Sequence, residues 1–165
     1  MGSYKLTKSL FYLYFVAIVW IILFKMQMPF ANIGQIRSIS LIPFVGSVKV
    51  NGQIYIPEIV ENVLIFIPFG IFSGMSGQSK TWLRRLAPSF FTSLALEVLQ
   101  FILAAGVSDM TDLLANTTGG WIGLGIFSVF SRLCREKVNV VLNIIMLTGA
   151  SGMILLTGIL ILANR

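Results

Sequence analysis

Apolar residues in this chain fall into long runs that are separated by shorter polar stretches. A transmembrane helix needs about 20 consecutive, predominantly apolar residues, and these runs reach or approach that length. The pattern predicts an all-α membrane protein, a bundle of about five transmembrane helices, in one domain over residues 1–165. The predicted spans lie near residues 9–28, 59–75, 86–105, 110–130 and 138–163.

The amino-acid composition supports a membrane protein. Hydrophobic residues make up 56% of the chain and charged residues 11%, whereas soluble domains carry about 25% charged residues. A chain of this length leaves much of its surface exposed when folded, so in water it could not hide so many apolar side chains. The net charge of +6 would favour nucleic acid as the partner of a soluble protein. Here the basic residues stand at the ends of apolar runs, so no nucleic acid is expected, and the lipid bilayer is the predicted partner.

The connection over residues 29–58 is predicted to be an outer loop with some structure of its own. Asn51 and Gly52 stand between two short alternating segments, and this dipeptide is the strongest short-range signal for a β-hairpin because both turn positions need positive φ. We predict a small extracellular hairpin over residues 47–56. The apolar stretch at residues 40–44 contains Pro43 and is expected either to lie in the membrane interface or to dip into the bundle.

Basic residues predict how the bundle is oriented, because cytoplasmic loops carry an excess of Lys and Arg. With the N-terminus in the cytoplasm and five spans, the C-terminus lies outside the cell. The cytoplasmic side then holds eight basic residues, which are Lys5, Lys8, Lys80, Arg84, Arg85, Arg132, Arg135 and Lys137. The outer side holds four, which are Lys25, Arg37, Lys49 and Arg165.

Acidic residues gather at the predicted outer end of the bundle. These are Glu58, Glu61, Asp109 and Asp112, with Glu97 inside the third span and Glu136 alone on the cytoplasmic side. A carboxylate in the hydrocarbon costs about 2.5–3.5 kcal/mol on insertion scales. Such a residue therefore normally faces the bundle interior, a wet cavity or a partner.

The spacing of these polar residues assigns them to two helix faces. Glu97 and Gln100 are three residues apart and share a face of the third helix. Asp109, Asp112 and Asn116 share a face of the fourth helix. Small residues let membrane helices approach closely. A group of glycines is therefore predicted to pack the fourth helix against a neighbour, for which the third helix is favoured. That group is Gly119, Gly120 and Gly123.

Each of these residues also has a purely structural interpretation. Asp109 is as well suited to capping the fourth helix as to binding a ligand. Glu61 and Asn62 could be interfacial residues in contact with water. Asn116 could serve only to hydrogen-bond a neighbouring helix. We therefore treat as candidates for ligand binding or a polar network Glu61, Asn62, Glu97, Gln100, Asp109, Asp112 and Asn116.

The chain contains no histidine and a single cysteine, Cys134. It therefore lacks the Ser/His/Asp and Cys/His catalytic sets and every metal site built on imidazole. A metal would need oxygen ligands, which favours Mg²⁺, Ca²⁺ or Mn²⁺. No cofactor is expected, and if a divalent cation binds, Glu97 and Asp112 are its predicted ligands.

Three stretches resemble, in order, the motifs of VanZ-like membrane proteins. Residues 61–70, ENVLIFIPFG, resemble N-x-x-x-F-x-P-x-G; residues 97–100, EVLQ, resemble E-x-x-Q; and residues 109–120, DMTDLLANTTGG, resemble D-x-x-D-x-x-x-N-T-x-G-G. Residues 40–44, SLIPF, also fit the first outer loop of that family. One difference is that many members carry an arginine before the first aspartate, where this chain has residues 106–108, GVS.

The resemblance implies a setting in the bacterial cell membrane and a link to teicoplanin resistance. Within that setting, the acidic outer end, the short loops and the absence of a recognisable catalytic set favour a binding or accessory protein. Its outer acidic pocket would engage a lipid-anchored or glycopeptide ligand, with a role in resistance or envelope homeostasis. One alternative is a membrane-embedded enzyme that acts on a lipid-linked substrate, with Glu97, Asp109 and Asp112 as candidate catalytic residues. A small proton-coupled transporter ranks last, because the carboxylates concentrate at one end and form no relay across the bilayer.

Overall fold

The computed structural model describes residues 2–24, 36–44, 49–50, 53–54, 56–76 and 81–163. Long helices dominate these residues, which confirms the predicted all-α membrane fold class. The helices are α1 (Gly2–Phe24), α2 (Ile56–Met75), α3 (Trp82–Leu103), α4 (Met110–Cys134) and α5 (Val138–Ala163), with a short 3₁₀ turn at Arg135–Lys137 between the last two.

The helices follow the predicted spans with small shifts at their ends. By length and composition, four helical segments of the described chain could cross a membrane: Lys5–Leu23, Ile56–Met75, Trp82–Leu103 and Met110–Gly149. The last of these takes in α4, the 3₁₀ turn and the first half of α5. Helix α1 begins well before the predicted residue 9, so it carries its lysines inside the helix; residues 25–28 of that predicted span lie outside the described residues.

Four short strands complete the fold: β1 (Ile36–Ser40), β2 (Lys49–Val50), β3 (Gln53–Ile54) and β4 (Ala105–Asp109). Strands β2 and β3 pair antiparallel, which confirms the predicted hairpin. Its proposed turn residues, Asn51 and Gly52, lie outside the described residues.

The pairing of β1 with β4 was not predicted. These strands run parallel, with Arg37 opposite Gly106 and Ser40 opposite Asp109. Helix α3 ends because Ala104 adopts the left-handed conformation, with φ of 48°, two residues short of the predicted end of this span. The chain then enters β4, which leads directly into α4, so β1 is fastened beside the start of that helix.

Helices α2 and α4 make the most extensive contact in the bundle. A Cβ atom on Gly119 would lie 2.2 Å from the carbonyl oxygen of Val63, and one on Gly123 would lie 2.0 Å from that of Ile67. Only hydrogen fits at either position, so the two backbones touch. The sequence favoured α3 as the neighbour of these glycines, but Gly119 and Gly123 face α2, which runs parallel to α4.

Helix α3 runs antiparallel to α4 on its other side. Gly120 of α4 lies against Ser89, and a Cβ there would approach the Ser89 Oγ to 2.4 Å. One turn along, the Asn116 amide donates to the Ser93 hydroxyl at 2.9 Å. Ser89, Ser93 and Glu97 are spaced four residues apart and are all buried, so we call this line of contacts the α3–α4 seam.

Aromatic side chains pack α1 against α2. The Phe11 ring meets Phe69 and Phe72 with ring centroids 5.6 and 5.7 Å apart, an edge-on geometry that stabilises aromatic pairs. Thr7 and Asn143 exchange hydrogen bonds and tie α1 to α5. Exposed side chains on the helices are largely apolar, as contact with lipid requires; examples are Tyr12, Leu13, Val16, Leu83 and Phe91.

Candidate functional site

The site is built around the first turn of α4. Asp109, the last residue of β4, is the N-cap of this helix, and its Oδ1 accepts both the backbone N–H and the hydroxyl of Thr111 at 2.9 Å. An N-cap carboxylate satisfies a donor that has no partner within the helix and interacts favourably with the helix dipole. Asp109 therefore has the capping role that the sequence offered as the alternative to ligand binding.

Glu97 reaches the same point from α3. Its Oε2 accepts the backbone N–H of Asp109 at 2.9 Å, and the side chain is 4% exposed. In a capping box the acceptor for the N-cap N–H is the side chain three residues into the helix. That position is Asp112 here, and a residue of another helix supplies the acceptor instead. Glu97 thereby fastens α3 to the β4–α4 corner.

Asp112 is consequently directed toward a different neighbour. Its Oδ1 accepts from the Asn62 amide of α2 at 2.7 Å, and the side chain is 8% exposed. A carboxylate in the first turn of a helix is stabilised by the positive end of the helix dipole. The amide donor adds a hydrogen bond to a charged group, which contributes about 1.5–3 kcal/mol. Asp112 and Asn62 thus connect α2 to the start of α4.

The apolar loop after β1 is also fixed to this turn. The backbone N–H of Phe44 donates to the Thr111 hydroxyl at 2.8 Å, and Phe44 adopts a positive φ of 66°. Leu41 and Ile42 are exposed, so this segment lies on the surface of the bundle rather than inside it. We call the five residues that meet here the polar junction: Asn62, Glu97, Asp109, Thr111 and Asp112.

The remaining candidate residues lie around the polar junction. Glu61 is exposed although its neighbour Asn62 is part of the junction. Gln100, one turn beyond Glu97, donates to the Ile22 carbonyl of α1 at 2.8 Å. Asn116, one turn beyond Asp112, belongs to the α3–α4 seam. The structure thus groups the buried candidates and separates Glu61 from them.

Two buried amide oxygens beside the junction keep unused hydrogen-bonding capacity. Within the described part of the chain, the Oε1 of Gln100 and the Oδ1 of Asn116 have no hydrogen-bond partner, and both side chains are almost fully buried. A buried acceptor without a donor is unfavourable, so a bound group that donates hydrogen bonds would be stabilised there.

Sequence reasoning overlooked Ser89 and Ser93. Both are fully buried on α3, at four-residue spacing before Glu97. Serine hydroxyl groups are common in membrane helices and carry no charge, so neither residue stood out as a polar contact within an apolar span. The four-residue spacing that ends at a carboxylate was the available signal, because it places all three side chains on one face.

The positions of the carboxylates determine whether they could bind a metal ion together. Among the residues that the structure describes, no group of three or more acidic or cysteine side chains could hold a metal ion. One oxygen of Glu97 and one of Asp109 also accept hydrogen bonds from protein donors. A divalent cation bound by Glu97 and Asp112 stays a prediction.

Charge is separated along the bundle. The end where α4 begins carries Glu58, Glu61, Asp109 and Asp112, with Glu97 close by. The backbone of Arg37 lies at this end as well, opposite Gly106 in β4. The end where α4 stops carries Glu136 and a basic group made up of Lys5, Lys8, Arg84, Arg85, Arg132, Arg135 and Lys137.

Comparison with known proteins supports the resemblance seen in the motifs. The VanZ/LLP1 family model matches residues 11–131, which include the whole polar junction and the α3–α4 seam. Protein VanZ of Enterococcus faecium is 33% identical over 134 residues, which is 80% of this chain and 80% of that protein. No solved structure gives a significant match. The VanZ-like family is linked to teicoplanin resistance. The chain belongs to the VanZ/LLP1 family.

Proposed function

We propose that this membrane protein contributes to glycopeptide and lipoglycopeptide resistance, or to envelope homeostasis, by binding an envelope ligand at an outer acidic pocket. The pocket consists of the polar junction and the neighbouring side-chain amides of Gln100 and Asn116. The ligand is a lipid-anchored or glycopeptide molecule that presents a cation or hydrogen-bond donors. Family membership supports the setting, and the geometry of the junction supports the mode of binding.

The observation that carries the proposal is the burial of Glu97 and Asp112 at the acidic end of the bundle. Holding a carboxylate in hydrocarbon is costly, and charged residues within membrane spans are usually functional. Asp109 is accounted for as a helix cap. Asp112 is not the capping-box acceptor, because Glu97 takes that role, and its buried carboxylate accepts from Asn62 at the acidic end instead.

The amide oxygens of Gln100 and Asn116 favour a ligand rich in donors. The Asn116 oxygen lies one helical turn from Asp112 toward the middle of the bundle, whereas the Gln100 oxygen lies one turn from Glu97 toward the end where α4 begins, and both are buried. A ligand amine or amide that reached them would gain hydrogen bonds in a medium of low dielectric, where such bonds are strong. The apolar outer faces of the helices would accommodate a lipid tail alongside.

The substitution Asp112→Asn tests the proposal in a deletion strain complemented with the full chain. It keeps the size of the side chain and an oxygen that Asn62 can donate to, but it removes the charge. We expect teicoplanin susceptibility to return to that of the deletion strain. The minimum inhibitory concentration is the measurement, with protein level checked by immunoblotting.

The matched control is Glu61→Gln, one residue from Asn62 on the same helix. Glu61 is exposed, so loss of its charge should leave susceptibility at the wild-type value. The proposal fails if the deletion strain shows no envelope or antibiotic phenotype, or if both substitutions behave alike.

We further propose that the acidic end faces the outside of the cell and the basic end the cytoplasm, since cytoplasmic segments carry the excess of Lys and Arg. With Cys134→Ser as the background, Glu61→Cys should react with a membrane-impermeant maleimide in intact cells. Glu136→Cys, at the opposite end and also exposed, should react only after lysis. The reverse pattern would overturn this orientation.

A further inference from the structure

A crevice of about 310 Å³ opens between α1 and α2 near the basic end of the bundle. This volume is at the lower limit of small-molecule sites, which range over about 300–1,000 Å³. The residues that line it include Lys8, Phe11, Phe69, Phe72, Ser73 and Ser76. It lies at the opposite end from the polar junction.

Polarity changes along the crevice. Ser76, at the end of α2, and Lys8, near the start of α1, lie at the mouth, and both are exposed. The rings of Phe11, Phe69 and Phe72 form the inner part. From Ser76 to Phe69 the helix advances roughly 10 Å at 1.5 Å per residue. One end of an occupant would therefore meet charge and hydroxyl groups, and the other would meet aromatic carbon.

The positive charge at the mouth of the crevice favours a bound molecule with an anionic headgroup. Lys8 lines the crevice and Lys5 stands one turn earlier on the same helix. The Ser73 hydroxyl, in the wall of the crevice, donates to the backbone carbonyl of Arg85 at 2.5 Å. This contact places the backbone of α3 beside the crevice, but the Arg85 guanidinium lies 5.9 Å over the Phe127 ring of α4, so Lys8 is the basic residue that lines the crevice. A single lysine at the mouth of an apolar crevice complements an anionic head attached to an acyl chain.

We infer that this crevice is a binding site for one anionic phospholipid, with an acyl chain against the phenylalanine rings and the phosphate at Lys8. The site is separate from the polar junction and does not depend on the function proposed there. The bound lipid would hold the ends of α1 and α2 together at the membrane surface.

Native mass spectrometry of the full chain in mild detergent tests this inference. The protein is mixed with phosphatidylglycerol or with phosphatidylcholine of the same acyl chains, and bound lipids are counted. One lysine near the surface favours an anionic head by roughly fivefold. The wild type should therefore retain one phosphatidylglycerol about fivefold better than phosphatidylcholine, and Lys8→Gln should abolish that preference.

Three further variants decide the outcome. Lys5→Gln is the matched control and should keep the preference, and Lys8→Arg should keep it too. Ser76→Trp, which fills the mouth, should lower the binding of both lipids. The inference is overturned if Lys5→Gln loses the preference as fully as Lys8→Gln, if the wild type shows none, or if Ser76→Trp leaves binding unchanged. Circular dichroism confirms that each variant is folded.

Discussion

The substitution Gly123→Ala is expected to push α2 and α4 apart and to lower the free energy of unfolding by about 1–3 kcal/mol or more. The added Cβ would lie 2.0 Å from the Ile67 carbonyl oxygen and 3.0 Å from the Cα of Gly70. Both are backbone atoms of a helix, so neither can rotate away as a side chain would. Relief requires one helix to move, and movement disrupts the packing on which association in lipid depends.

Gly125→Ala is the matched control two residues along the same helix. A Cβ at that position would meet nothing within 4 Å. Alanine also favours a helix interior over glycine by about 0.8–1.0 kcal/mol, so this variant should be neutral or slightly stabilised. Thermal unfolding of the purified protein in detergent, with the folded fraction from gel filtration, measures both effects.

The same two variants also test the polar junction. If α4 is displaced from α2, Asn62 and Asp112 separate, so Gly123→Ala should also lose protection against teicoplanin while Gly125→Ala keeps it. Equal stability of the two variants would contradict the close contact between α2 and α4.

The helices were predictable because the bilayer imposes a length and a composition on any segment that crosses it. Each predicted span coincides with a helix to within a few residues at most ends. The largest difference is at α1, whose helix includes Lys5 and Lys8. A sequence window marks where the apolar run starts, but nothing in lysine itself ends a helix, so the helix continues beyond the hydrocarbon.

The parallel pair of β1 and β4 could not be predicted in the same way. Its partners, such as Ser40 and Asp109, are far apart along the chain, and five-residue strands carry little pattern of their own. The end of α3 was equally hidden, because Ala104 rather than a glycine takes the left-handed conformation. Only the packing of the whole bundle specifies both features.

In the candidate site, too, the arrangement within one helix was predictable and the contacts between helices were not. Spacing within one helix placed Glu97 with Gln100 and Asp112 with Asn116, since residues three or four apart share a face. Spacing could not reveal that Glu97 accepts from the backbone of Asp109, or that Asn62 rather than Glu61 meets Asp112. Contacts between helices depend on the rotation of each helix about its axis, and hydropathy leaves that rotation undetermined.

Glu97 offers the second large effect, because its two possible roles respond to different substitutions. Its Oε2 accepts the N–H of Asp109 and so holds α3 to the β4–α4 corner. Its negative charge is a separate property, which the proposed ligand would use. Alanine removes the acceptor and the charge together, whereas glutamine keeps the size of the side chain and one carbonyl oxygen but carries no charge.

Glu97→Ala should therefore lower the free energy of unfolding by about 1–3 kcal/mol, the cost of removing the acceptor of a buried donor, and should abolish protection. Glu97→Gln should unfold close to the wild type and still lose protection against teicoplanin, as Asp112→Asn does. Glu136→Gln, which removes an exposed carboxylate at the opposite end, controls for charge alone and should change neither property. Full protection by a folded Glu97→Gln variant would show that the charge of Glu97 is dispensable, and Glu97 would then act only in joining α3 to α4.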